Sequence, residues 1–226
     1  MAQSTVYSVN VVGYYNVTVP SKGYAFVANQ LTGANGDNTV NTAFANGFVS
    51  DANGINNTAM YFWNGAGFST YQYYSAADAG TAGWYDANGN PVSASVKQGF
   101  GAVIYNPGNS AITNTYVGQV VQGAVTNAVS QGFNLYSIVP PVAADFTTVG
   151  FPANSDGAGT SYDTIYRFNG AGYSTVSYYN AADAGVAGWY DANGNPVSVV
   201  PKVGECFFIK HANPSVTSWV SSFTVQ

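Results

Sequence analysis

The stretch AGWYDANGNPVS at Ala82–Ser93 recurs unchanged at Ala187–Ser198, and oxygen-bearing side chains alternate with small residues near its centre. Asp86, Asn88 and Asn90 in the first copy, and Asp191, Asn193 and Asn195 in the second, have the spacing with which calcium loops present oxygens to a hard cation. Calcium takes six to eight oxygens, and the EF-hand pattern adds a glycine at position six and a distal bidentate glutamate. Neither addition is present, and each loop carries a single carboxylate unless Asp78 or Asp183 reaches it. Asn-Gly is also the strongest short hairpin signal, because both residues tolerate positive φ. DANG occurs once more at Asp51–Gly54, outside the repeat. The expectation is a hairpin tip, with calcium the lesser alternative and no other cofactor.

Other chemistries find little material. Histidine occurs once, at His211, and cysteine once, at Cys206. A nucleophile-and-base pair needs both groups together, but an odd spacing in an extended strand puts them on opposite faces. The matching positions of the first copy are Gly101 and Asn106, so no such site is repeated. Asp78 and Asp86, with Asp183 and Asp191, could flank a glycosidic bond if suitably separated. They sit in Gly/Ala-rich sequence with no glutamate nearby, so a non-enzymatic role is expected.

The elements that must position these groups follow from composition. Charged residues make up 7% of the 226, against 46% hydrophobic and 15% aromatic, with two leucines and one glutamate in the chain. Helix formers are scarce apart from alanine, whereas Val, Tyr, Phe and Thr suit a half-buried pleated surface. The chain reads as all-β. Five basic side chains and a net charge of −5 leave nothing to neutralise a phosphate backbone, which argues against nucleic acid. No apolar run reaches the length of a membrane helix, so no membrane insertion is expected. Met1-Ala2-Gln3 leads straight into strand-like sequence. Of a native cytoplasmic start and a mature secreted chain whose leader is replaced by Met, the polar, lysine-poor composition favours the second and an extracellular or cell-surface location.

Self-comparison organises the chain. Residues from Met60 match those from Ile165 at an offset of 105 without a gap, and VTVPSKGYAFVANQ matches TNAVSQGFNLYSIV at 109. The reading is two homologous domains, 1–116 and 117–226, each a small sandwich or barrel. NGAG and ANGN mark hairpins, glycine bends open KQGFGAVIYNP and KVGECFFIKHANP, and short helical turns are expected near Val40–Phe44 and Phe146. STVYSVNVVGYYNVTV alternates cleanly as one long strand or two bent at Gly13, ITNTYVGQVVQG lies between the copies, and VTSWVSSFTV ends the second. On this count three strands serve two units, the middle one is shared, and the outer two are open halves of a junction.

That arithmetic predicts self-assembly. Tyr7, Val9, Val11, Trp219, Phe223 and Val225 are the candidate assembly positions of the terminal strands. Tyr73, Trp84, Tyr85, Tyr178, Trp189 and Tyr190 are candidate exposed aromatic contacts, since Tyr and Trp are enriched where proteins meet partners. The order VYSVNVVGY, GFNLYSI, IYRFNGAGYSTVSYY, VGECFFIK resembles a broad group of uncharacterised secreted proteins of Verrucomicrobia-type bacteria. The resemblance implies secretion and a tandem β architecture, and no catalytic residues. The expected role is a structural subunit of a secreted filament, sheath or surface layer whose partners are copies of itself. The alternative is a monomeric carbohydrate-binding or adhesive module with glycan as partner.

Overall fold

The computed structural model describes residues 11–33, 36–45 and 47–224. In chain order the first half contributes β1 (Val12–Val19), β2 (Gly23–Asn29), α1 (Val40–Ala43), β3 (Ala59–Trp63), β4 (Phe68–Tyr74), α2 (Ala76–Ala79), β5 (Gly83–Tyr85), β6 (Phe100–Asn106) and β7 (Ile112–Gln119). The second contributes β8 (Gly123–Val129), β9 (Gly132–Tyr136), β10 (Thr164–Phe168), β11 (Tyr173–Tyr179), α3 (Ala181–Ala184), β12 (Gly188–Tyr190), β13 (Phe207–His211) and β14 (Thr217–Phe223). The chain is all-β, and the three helices among the described residues are single turns. The turn at Val40 is where it was expected; residues after Phe146 form turns without a helix, and the AADA helices were not anticipated. In α3, Asn180 Oδ1 accepts from the amides of Ala182 and Asp183, an N-cap that explains the start.

Two separate barrels are not what forms. Ten strands join one antiparallel sheet in the order β12-β11-β10-β13-β9-β6-β3-β4-β5, with β2 also paired to β6, and no barrel closes. On one face of this sheet lie two two-stranded ribbons, β1–β7 and β8–β14. Beneath the first ribbon Tyr15, Phe44, Met60, Trp84, Ile104 and Tyr116 pack into one core. Beneath the second, Phe146, Ile165, Trp189, Phe207, Ile209 and Trp219 form another.

The shared strand is also corrected. The segment between the copies is two strands, β7 and β8, separated at Val120–Gln122. β7 pairs with β1, and β8 with β14, so each half owns a complete ribbon and both described terminal strands are partnered within the chain. β1 runs unbroken through Gly13, where a Cβ would lie 2.8 Å from Val120 Cγ2, so this glycine serves close packing rather than a bend. Its faces alternate as expected, with Tyr15 and Val19 buried and Tyr14, Asn16 and Thr18 exposed.

An ungapped offset of 109 would turn Ala124, Thr126 and Ala128 of β8 toward the core. Instead Asn127 and Val129 are buried, with Val125 partly so, and those alanines and Thr126 face solvent. The turn into β2 contains Pro20-Ser21-Lys22, whereas Ser130-Gln131 precedes β9. One residue fewer in that turn shifts β8 by one position, and in a period-2 element a one-residue shift exchanges the faces. β8 thereby presents Val129 opposite Thr217, as β1 presents Val19 opposite Ile112.

The halves meet by equivalent contacts made in both directions. Phe100 bridges Tyr136, and Glu205 bridges Val27. Alongside, the Ser137 amide donates to Gly99 O at 2.8 Å, and the Ala28 amide donates to Gly204 O at 2.9 Å. By the sequence offsets these are the same bonds with the halves exchanged, the geometry of an isologous interface about a local two-fold axis.

Candidate functional site

At the AGWYDANGNPVS tips, Asp86 Oδ1 accepts from the amides of Asn88 and Asn90, both at 2.9 Å, and Oδ2 accepts from Asn90 Nδ2 at 3.1 Å. Asp191 repeats this with Asn193 and Asn195 at the same distances. N–H groups therefore converge on each carboxylate where a cation would require oxygens, and the third residue of each pattern offers its amide nitrogen. The tip is an Asx-type turn closed by the Asp86 amide donating to Asn90 O. Among the described residues no group of three His, Cys, Asp or Glu side chains clusters as metal ligands. Melting temperatures in calcium and in excess chelator are expected to coincide; a midpoint raised by calcium would favour the metal reading.

The same bonds set a pH dependence. Bonding from the Asn90 and Asn195 amides holds Asp86 and Asp191 below the usual carboxylate value of 3.8, and the Ser50 hydroxyl followed by Ser75 does so for Asp78. A depressed folded-state pKa adds stability that is complete above the unfolded value and lost as pH falls through the folded one. The melting temperature should thus be flat from neutral pH to about 5 and decline below about 4. A rise on acidification would contradict these contacts.

The aromatic residues singled out from sequence are not the exposed ones. Tyr73, Trp84, Tyr85 and Trp189 are buried, while Tyr178 and Tyr190 are half-buried. Register explains this: Tyr73 stands opposite Trp84 and Tyr178 opposite Trp189, so these pairs share the core-facing side of the sheet. Trp84 also donates Nε1–H to Phe44 O at 2.7 Å. Of the terminal positions, Trp219 is a core residue donating Nε1–H to Val149 O at 2.7 Å, and Phe223 and Val11 pack against the first core. Tyr7, Val9 and Val225 lie outside the described residues.

Apart from Tyr14 on β1, the exposed aromatics gather on the sheet face opposite the ribbons. Phe26, Ala28, Val103, Leu135, Cys206 and Phe208 form a third apolar cluster there, across the joint. Around it Tyr24, Phe68, Phe133 and Tyr173 are 43%, 46%, 42% and 50% exposed. Rings from the two halves interlock: Phe26 stacks on Phe168 at 5.2 Å, Trp63 meets Phe208 edge-on at 5.5 Å, and Trp63 Nε1–H donates to Phe133 O at 2.9 Å. The two-fold relation extends to the side chains, with Tyr61 matching Tyr166, Trp63 matching Phe168 and Phe68 matching Tyr173. Burial pushes the Cys206 thiol well above its ordinary pKa, which leaves it a poor nucleophile.

Sequence reasoning missed one polar network. Asp163 Oδ2 lies 2.9 Å from His211 Nδ1, and His211 Nε2 lies 3.3 Å from Thr217 Oγ1. Carboxylate, imidazole and hydroxyl stand in the order of a nucleophilic triad, but both the Asp163 and His211 side chains are completely buried. Asp163 also accepts from the amides of Asn154 at 3.0 Å and Ala212 at 2.7 Å, so the group fastens β14 and two loops to the sheet. Thr58 and Asn106 occupy the matching first-half positions, so the repeat gives no signal for it. Cys206, just before β13, and His211, at its end, do point to opposite faces of the sheet, as their spacing predicts. Compared with protein-family models, curated proteins and solved structures, the chain matches none.

Proposed function

We propose that this chain is a structural subunit of a secreted extracellular filament, sheath or surface layer, and that copies of it associate through the aromatic sheet face. The observation that supports this is the continuous, uncovered run of rings across the joint. Monomeric proteins rarely leave a large contiguous apolar patch open to water, and such patches mark interaction surfaces. Eight strands carry the face, β2 beside the seven that run from β4 to β11. At about 4.8 Å between strands and about three outward positions each, its area is on the order of 600 Å². That is close to the roughly 800 Å² each partner buries in a stable complex. A second copy is the fitting occupant, because a face with internal two-fold symmetry is self-complementary under rotation and carries rings rather than charges at its centre. Sheet-on-sheet contact of this kind interdigitates side chains about 10 Å thick.

Growth beyond a pair uses the ribbons. Each has only two strands and so offers edges to an incoming strand. This replaces the open-ended terminal strands as the route of propagation. Secretion is supported by the composition and by the resemblance described above.

Sizing and electron microscopy of the purified chain test the reading. The expected result is concentration-dependent association that Phe68→Lys combined with Phe133→Lys abolishes, with the β spectrum retained because both residues are nearly half exposed. A strictly monomeric wild-type chain at high concentration would sink the proposal.

A further inference from the structure

A cleft of about 640 Å³ opens at the outer edge of the second half, between β11, β12, α3 and the ANGN tip. It is lined by Tyr162, Ser177, Tyr179, Asp183, Tyr190 and Asp191, with Thr175 beside them. We infer that this cleft, on the same sheet face as the ring cluster but at the far end of β11 from Tyr173, is a binding site for a neutral glycan present only in the second half.

The comparison between halves carries the inference. In the first half Tyr74 and Tyr85 match Tyr179 and Tyr190, but Gln72 stands where Ser177 does. There Gln72 Nε2 donates to Gly54 O at 3.3 Å, and Tyr74 Oη donates to Gln72 Oε1 at 3.2 Å. The loop at Gly54 lies so close that a Cβ on it would come within 2.5 Å of Tyr74 Oη. Side chain and loop together fill the space over the tyrosine. In the second half the corresponding loop is drawn aside onto α3, where the Gly159 amide donates to Asp183 Oδ1 at 2.8 Å. Ser177 is short, and its hydroxyl meets Thr164 Oγ1 at 3.3 Å. The same frame is closed once and open once.

The lining selects the ligand class. Tyr162 and Tyr179 pack tilted by 46° with centroids 4.9 Å apart, and Tyr179 meets Tyr190 edge-on at 5.8 Å, so the rings make a stepped apolar wall. Such a wall suits the C–H face of a pyranose, and rings packed on one another leave no central space for a cation to be caged. Two carboxylates and no basic side chain line the cleft, which disfavours anions and accepts hydrogen bonds from sugar hydroxyls. Its volume falls within the range of small-molecule sites.

Calorimetric titration with maltotetraose, cellotetraose and mannotetraose, with tetramethylammonium as the cationic control, tests the site. At least one tetrasaccharide is expected to bind saturably, and Ser177→Gln, which installs the first half's side chain, is expected to weaken it by at least about tenfold. Gln72→Ala in the first half should leave that affinity unchanged. Silence across the three sugars, equal binding by Ser177→Gln, or saturable tetramethylammonium binding without sugar binding would each overturn it. Because Ser177→Gln leaves the rings at the joint unchanged and Phe68→Lys with Phe133→Lys leaves the cleft lining unchanged, loss of sugar binding and loss of association are separable.

Discussion

Asp163→Ala lowers the unfolding free energy by about 4 kcal/mol in a urea titration, because it strands several buried donors at once. The carboxylate serves the Asn154 and Ala212 amides and faces the His211 ring, all from a site without solvent. Each polar group left without its partner in such a site costs about 1–3 kcal/mol, and Asp163→Ala leaves three of them. Asp163→Asn keeps an acceptor oxygen and should lose less. The loss falls on the second half, where the network ties the start of β14 to the sheet. A change below about 1 kcal/mol would mean that water or rearrangement satisfies these groups.

Trp84→Ala is the second large effect, at about 3–5 kcal/mol. The indole is fully buried, with Phe48 at 5.0 Å, Tyr73 at 5.5 Å and the Phe44 carbonyl on its Nε1–H. Truncation leaves a cavity beneath the first ribbon and frees that carbonyl. An indole that served as a surface platform would instead leave the melting midpoint unchanged, so the denaturation curve separates the two roles without any ligand. Trp189→Ala should cost somewhat less: its side chain packs on Tyr178 and Phe146 in the second core, and the residues flanking it are less buried than those beside Trp84.

The β class, the hairpin at NGAG and the turn at ANGN were legible in the sequence because each rests on local chemistry. Asn64 Oδ1 accepts from the amides of Ala66 and Gly67, and Gly65 takes a φ of 97°, as an Asn-Gly turn demands. Burial of the aromatics was not legible. β3 alternates Met60 and Phe62 with Tyr61 and Trp63, so both phases are apolar and neither declares itself the core. A sheet with apolar residues on both faces removes the polar-out signal on which face assignment depends. Tyr73 and Trp84 looked like contact residues for the same reason that Phe68 and Tyr173 were overlooked.

The shared-strand count failed at a smaller scale. Val120–Gln122 interrupts what reads as one β segment, and only the pairing partners separate β7 from β8. The inverted faces of β8 have a similar cause, since one residue fewer before β9 is invisible in an ungapped match. The joint between halves was beyond reach, because it depends on contacts such as Gly99 with Ser137 that no periodicity encodes.

The position where the halves cross carries a last consequence. Gly101 and Cys206 are matching residues, and they face each other: a Cβ on Gly101 would fall 2.7 Å from Cys206 Cβ and 2.4 Å from Val27 O. In a pair of identical chains, whatever stands at such a spot must stand there twice, and two side chains do not fit. Joining the halves in one polypeptide lifts that obligation, so one side can be empty and the other filled. The same freedom places Arg167 and Glu205 in a forked ion pair at 2.8 Å where the first half has Phe62 and Phe100. It also allows one edge to be plugged while its counterpart stays open. A single covalent link thus turns a symmetric frame into a molecule with a distinct left and right.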